Sequence, residues 1–488
     1  MPHNGRILAA LAGAVLSGCA AGPDFVRPEP PDVAHYTREP EAAATQAADG
    51  TAQQLEMGAR LSGEWWRLFK SPAIDAVIKE SLANNPGLQA AQASLRASQD
   101  NLRAGQGIFF PQIDVGGSAA RQKFSAARFG QVSAGSIFNL YTLAATVGYT
   151  LDVFGGERRE IEGLQAEVDV QRNTMRAAYL ALLGNTTNTL IARAAYAAEI
   201  EATEQIIGLE KEQVKLAEAQ AQAGTVPYSD VLALRSQLAT VEASLPQLRQ
   251  EQDQAEHLLA TLVGRPPAAW APPEISLLEL TLPAELPVSL PSDLVRQRPD
   301  VLVSEAQLHK ASADIGVATA AMFPSFTLSG SFGQESNSPQ DLLTSKNSIF
   351  NVGPNLDAPL FHGGTLLYQR RAAIESYQQS LAGYRQTVLG ALAQVADVLR
   401  ALEHDAQILD ARSNAFQTAE QALQLIQANY QAGLVNYSQV LVQDIQYRQA
   451  VIGYLEARAQ RFQDTTALFV ALGGGWWNAE QQSSGTQR

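Results

Sequence analysis

The chain has 488 residues, 46% of them hydrophobic, enough for a large core, and 35 Lys and Arg against 49 Asp and Glu give a net charge of −14. That balance, with no basic cluster, argues against nucleic acid as a partner. The lone cysteine, Cys19, excludes an internal disulfide. Beyond residue 18 no run of 18 apolar residues occurs, so no transmembrane helix is expected, while barrel strands, with their weak alternating signal, stay open.

At the N-terminus, Arg6 precedes an apolar stretch, Ile7 to Leu16, that reads as a signal-peptide core, since a bilayer-spanning helix needs about 20 residues. Leu16-Ser17-Gly18-Cys19 follows and resembles the bacterial lipoprotein box, in which the thiol is lipidated and becomes the new N-terminus. The alternative is an ordinary secretory signal with a chance cysteine. Ala20 is not the aspartate that retains many lipoproteins in the inner membrane, so outer-membrane sorting is expected. Residues 1–18 are then signal, and 19–59, rich in Pro, Ala, Glu and Thr, a lipidated extended tether. Cys19→Ala should abolish acylation and leave an uncleaved or misprocessed precursor. Mass spectrometry that finds a bare thiol at Cys19 in the mature protein overturns the assignment.

Residues 60–264 read as a first repeat. A helix to residue 84 leads into a second helical segment that opens at Pro86 and closes at Pro111. Ile113 and Val115 begin an alternating stretch, and Tyr141 to Asp152 continues it, with Tyr141, Leu143, Val147, Tyr149 and Leu151 on one face and Thr142, Thr146 and Thr150 on the other. These are two strands around a polar loop, residues 121–137. A proline-free helix then runs from Gly156 to Gly224, and a second helix returns from Ser229 to Val263.

A proline-rich connection, residues 265–298, precedes the second repeat, 299–472, and a tail, 473–488. Pro299 and Pro324 bound a helix; Phe326, Leu328, Gly330 and Phe332 alternate with Ser325, Thr327, Ser329 and Ser331; and Phe350, Val352, Leu356 and Leu360 precede Gly363-Gly364. The polar loop between these strands is residues 334–348. From Ile374, steps of seven reach Leu381, Val388, Val395, Leu402, Leu409, Phe416, Leu423 and Tyr430, a heptad row for a coiled helix of about 100 Å at roughly 1.5 Å per residue. The return helix is Ser438 to Leu472. Four strands cannot close a barrel alone, and an open edge is not viable in lipid, so other subunits must complete it.

The two repeats share one plan. Pro86/Pro299 and Pro111/Pro324 are each 213 residues apart, while Ala223-Gly224 and Ala432-Gly433, with Tyr228/Tyr437 and Val231/Val440 behind them, keep a spacing of 209. No solenoid has so long a period. Catalytic chemistry is not expected: the six histidines lack metal-ligand spacing, Gly105-x-Gly107 lacks phosphate-loop context, and no nucleophile elbow, Walker sequence or acidic metal cluster occurs. No cofactor or metal is expected.

The lipoprotein start, Trp65-Trp66-x-x-Phe69, Asn85-Pro86, Phe110-Pro111, Phe323-Pro324, Ala432-Gly433 and Leu472-Gly473-Gly474-Gly475-Trp476 together resemble the TolC-type outer-membrane factors, nearest the OprM/NodT-like lipoprotein branch. The resemblance implies a mainly α fold with a β-barrel. It implies a homotrimer whose twelve strands, four per subunit, form one outer-membrane barrel, continued by a periplasmic α-helical tunnel with an equatorial domain from residues 60–84, 265–298 and the tail. It further implies a passive exit duct of a tripartite pump, with a periplasmic adaptor and an inner-membrane transporter, of RND type, as partners. Adaptor docking is expected at Ala223, Gly224, Thr225, Ala432, Gly433 and Leu434. The family's aperture aspartates fall here on Gln439 and Val442; Asp230, six residues after Gly224, is a candidate for a substitute carboxylate, and Tyr430 matches the tyrosine that helps hold the mouth shut, with plain heptad packing as the alternative reading. An exit duct for type I protein secretion, or a coiled-coil periplasmic scaffold without a channel, are the competing readings.

Overall fold

The computed structural model describes residues 20–125, 130 and 135–477; Cys19 and the tail from Asn478 lie outside the described residues. The chain divides into two compact bodies. One comprises the described parts of Met1–Pro28, Ser94–Gln171 and Val303–Tyr384, the other Glu29–Ala93, Arg172–Leu302 and Arg385–Arg488.

The elements in order are β1 (Gln54–Met57), α1 (Pro72–Asn84), α2 (Pro86–Gly105), β2 (Gln112–Phe124), β3 (Ser136–Leu151), α3 (Gly156–Gln222), α4 (Tyr228–Val263), β4 (Glu285–Val288), α5 (Pro291–Gln297), α6 (Pro299–Ala320), β5 (Ser325–Ser336), β6 (Ser348–Asp357), α7 (Thr365–Gln431) and α8 (Tyr437–Ala471). The long helices α3 and α7 have 67 residues each, as their unbroken apolar periodicity requires. Along the heptad row of α7, Val388, Val395, Leu402, Leu409 and Leu423 are buried.

The first body is built on one antiparallel sheet in the order β2-β3-β5-β6. Both predicted loops are shorter than the sequence suggested. β2 runs through Arg121, Gln122 and Lys123 to Phe124, which pairs with Ser136, and β5 runs to Ser336. Ladder hydrogen bonds belong to the backbone, so pairing continues where the side chains turn polar. Leu360, read as the end of the last strand, lies beyond β6, which stops at Asp357. The N-terminal tract is pinned here. Ala21 N–H donates to Phe154 O at 2.8 Å, Arg159 binds Asp24 at 2.6 Å, Phe25 stacks on His309 at 4.3 Å, and Arg27 pairs with Glu305 at 2.8 Å.

In the second body β1 and β4 form a short parallel pair. Trp65, Phe69, Phe462 and Phe469 are buried together, Trp65 and Phe469 with ring centroids 5.3 Å apart. Ser71 caps α1 by accepting from Ile74 N–H, with Pro72 at the first helical position. The duplication reappears as matched chemistry. Asn85 Nδ2 donates to Leu262 O at 2.9 Å and Arg298 Nη1 to Ala471 O at 2.8 Å. In each repeat the residue before the helix-opening proline thus caps a carbonyl at the end of that repeat's return helix.

Candidate functional site

The strand register sorts the sheet's side chains onto two faces, because directly paired residues of antiparallel strands project to the same side. Val147 pairs with Ile113 and Gly330, and Gly330 with Val352; Ala145 pairs with Val115 and Phe332, and Phe332 with Phe350. Tyr149, Leu151, Leu328, Phe326 and Leu356 share that face through the same ladders. Many of these apolar side chains are exposed, including Ile113, Val115, Phe332, Phe350 and Val352. The other face carries Asp114, Thr146, Ser331 and Asn351, again in direct register. β2 and β6 are the sheet's outer strands, each paired on one side only among the described residues.

The second candidate region is the pair of hairpin ends. Both close in the same way. Thr225 N–H donates to Gln220 O and Leu434 N–H to Asn429 O, each at 2.9 Å, while the glycine before each donates to the residue three back. This is a six-to-one helix closure that needs a left-handed residue, and Gly224 and Gly433 supply it with φ of 74° and 71°. A Cβ placed on either glycine would meet nothing within 4 Å, so Ala223, Gly224, Thr225, Ala432, Gly433 and Leu434 form two exposed, unobstructed turns.

Just inside these turns the two hairpins pack on each other. Val231 and Leu234 of α4, Val214 and Ala217 of α3 and Tyr437 and Val440 of α8 make one buried cluster. Tyr437 Oη donates to Gln213 Oε1 at 2.6 Å and Tyr430 Oη to Gln220 Oε1 at 2.9 Å, with the two rings edge to face at 5.2 Å. Of the aperture candidates, only Tyr430 belongs to this seam. Asp230, half-exposed beside Ser229, and Gln439 and Val442, both exposed, lie outside the buried cluster. Tyr437 is not among the sequence's candidate site residues, although it recurs with Tyr228 at the repeat spacing. Its repeat mate Tyr228 is identical in sequence yet 58% exposed against 8%. Sequence alone carries no signal that separates them.

Deeper in the same seam, α3 and α8 bury Glu210, Asp444 and Arg448 together. Among the described residues no group of His, Cys, Asp and Glu could hold a metal, and no helix is long and apolar enough to cross a membrane.

Comparison with known proteins adds to this geometry. The sequence matches a family described as outer membrane efflux protein over residues 77–265 and 290–474, one segment for each repeat. It is 29% identical over 426 residues to the pyoverdine export outer membrane protein OpmQ of Pseudomonas aeruginosa, covering 86% of this chain and 88% of the relative. It is also 29% identical over 489 residues to the probable efflux pump outer membrane protein TtgC of Pseudomonas putida, covering 97% of each. Among solved structures, the outer-membrane channel OprN aligns with a TM-score of 0.83 at 26% identity, covering 94% of this chain and 100% of that one.

Proposed function

The chain belongs to the outer membrane efflux protein family, and from that premise we propose how this member works: three copies close one barrel, and their hairpins continue it as a duct. The protein is an outer-membrane channel of a tripartite efflux pump, reaching from the outer membrane into the periplasm and working with an adaptor and an inner-membrane transporter. The observation that carries the trimeric duct is the four-stranded sheet with one apolar and one polar face and two outer strands left half-paired. In lipid such edges must be closed, and three copies provide a twelve-stranded barrel whose apolar face meets lipid and whose polar face meets water. The duct is passive and has no catalytic chemistry of its own. Its transporter is of the RND type and its cargo small molecules. Heat-modifiable trimeric migration on a gel, together with ion conductance in planar bilayers, tests this. A monomer that conducts nothing overturns it.

The adaptor docks on the six hairpin ends of the trimer, Ala223-Gly224-Thr225 and Ala432-Gly433-Leu434. Support comes from the open space about each glycine and from the recurrence of one turn geometry in both repeats. Gly433→Val puts a β-branched side chain at a left-handed φ and into that open space. It should lower transport and adaptor crosslinking while the trimer still reaches the outer membrane. Full crosslinking and transport by both Gly224→Val and Gly433→Val would place the contact elsewhere.

A further inference from the structure

About four helical turns from Gly224 along α3, and three from Gly433 along α8, one charged group is buried in the seam between the hairpins. Arg448 Nη1 lies 3.0 Å from Glu210 Oε1 and its Nε 3.2 Å from Asp444 Oδ2, and the three side chains are 10%, 2% and 6% exposed. Gln237 of α4 turns its amide to Arg448, and with the oxygen assigned to the inward position it accepts from both Nη1, at 2.8 Å, and Nη2. Both Glu210 carboxylate oxygens and Asp444 Oδ2 are nevertheless buried without a hydrogen bond. Two buried carboxylates facing one guanidinium leave one negative charge uncompensated, a costly state in a medium that solvates it poorly. A proton on one carboxyl group removes that charge and supplies a missing donor.

The repeat shows that the fold does not need this group. At the spacing of 209 residues, Glu210, Asp444 and Arg448 correspond to Ala419, Arg235 and Ala239. Arg235 instead makes a half-exposed pair with Glu218 at 2.6 Å. Equivalent helices are built in both repeats, yet the charged group stands in only one seam.

We propose that Glu210 and Asp444 hold one proton between them and that this proton, with Arg448, latches the first hairpin to the second near the periplasmic mouth and loosens the seam when it leaves. The gating half of this idea rests on the duct function; the latch itself does not.

The surroundings agree. Burial pushes Glu210 up to about 7, with Asp444 and Glu242 adding to the rise and Arg448 opposing it; burial also raises Asp444, against the pull of Arg448. On α3, Lys211 is spent on Glu242 of α4 at 2.8 Å. On α8, Tyr437 and Tyr447 are both pushed up by burial and stay neutral through this range, and Glu420 of α7 acts on Tyr447. Tyr430 of α7 is held by Gln220. Because Glu210 binds its proton more tightly in the packed seam than in water, the packed state loses stability as pH rises. The latch is fully made below the ordinary carboxylate range, weakens up to about pH 7, and changes no further above it.

The test compares the full-length wild-type trimer with Glu210→Gln, an isostere of the protonated acid, between pH 5 and 8.5. In detergent, the variant should melt above the wild type at pH 8, and the gap should close as pH falls to 5. Asp405, pushed up to about 8 by burial and Asp464, titrates in the same window but is common to both proteins and cancels in the difference. In planar bilayers, wild-type openings should become more frequent from pH 5 to 8, while the variant keeps its acid-side behaviour throughout. Asp444→Asn should reproduce both effects. A melting gap that does not change with pH reduces the group to packing and overturns the latch. A pH response of opening that survives in both variants overturns the gating. A wild type that conducts at no pH overturns the duct function itself, and the melting comparison still decides the latch.

Discussion

Arginine in place of Val147 is expected to cost barrel assembly about 2–4 kcal/mol if the site is at mid-membrane, whereas arginine one residue earlier, at Thr146, leaves assembly intact and alters conductance. The two positions are adjacent in β3 and differ only in the face they serve. Val147 pairs with Ile113 and Gly330, and a Cβ on Gly330 would come within 3.1 Å of Val147 Cγ1 and 3.4 Å of Val352 Cγ2. Valine thus lies over a glycine gap in an otherwise apolar surface, where a guanidinium would have lipid on one side and aliphatic carbon on the other. Thr146 pairs with Asp114 and Ser331, so an arginine there enters a polar row beside a carboxylate. The readouts are heat-modifiable trimer on a gel for assembly and single-channel current for the lumen. Equal tolerance at the two positions would mean that the alternation does not separate lipid from water.

How much of this was legible in the sequence follows from the range of each interaction. Helix and strand periodicity are local, so α3, α7 and the apolar face of β3 could be read directly, and so could the turn glycines, whose left-handed backbone restricts the residue types allowed. Strand ends could not. Arg121 and Lys123 look like loop residues, but they pair with Asn139 and Ile137 because the ladder does not depend on hydrophobicity. The parallel pairing of β1 with β4, and the hold of the N-terminal tract on the rest of the chain, join segments far apart in sequence. Pattern reading has no access to such contacts. The same limit hid the charged seam. Glu210 is far in sequence from Asp444 and Arg448, and the three meet only where α3 packs on α8.

Arg461→Ala is expected to be among the most damaging single changes in the second body. Arg461 is 1% exposed, and its guanidinium serves four acceptors: Gln53 Oε1 at 3.2 Å, Ala48 O at 3.4 Å, Thr45 Oγ1 at 3.2 Å and Thr51 O at 3.2 Å. These acceptors belong to a tight reversal in which Ala48 and Thr51 exchange backbone hydrogen bonds across Asp49 and Gly50, both at positive φ. Gln53, itself fully buried, passes the connection on to Thr465 Oγ1 at 3.1 Å and Pro283 O at 3.2 Å. Burial lowers the arginine's affinity for its proton, and Asp405 and Asp49 oppose that. Truncation leaves buried Gln53 Oε1 without a donor, at about 1–3 kcal/mol before relaxation. It strips Ala48 O, Thr51 O and Thr45 Oγ1 of one donor each while their backbone donors remain, and removes the positive charge that opposes the rise of Asp405. A cost at the upper end of that range is a sizeable part of the roughly 5–15 kcal/mol that holds a typical domain folded. Arg461→Lys keeps the charge but not the planar fork, and should fall between the two. The damage should start locally: residues 43–55 come free of α8 and open to limited proteolysis before the melting point of the whole trimer is reached. An alanine variant with wild-type melting and an uncut reversal would show that the segment is fastened by something other than Arg461.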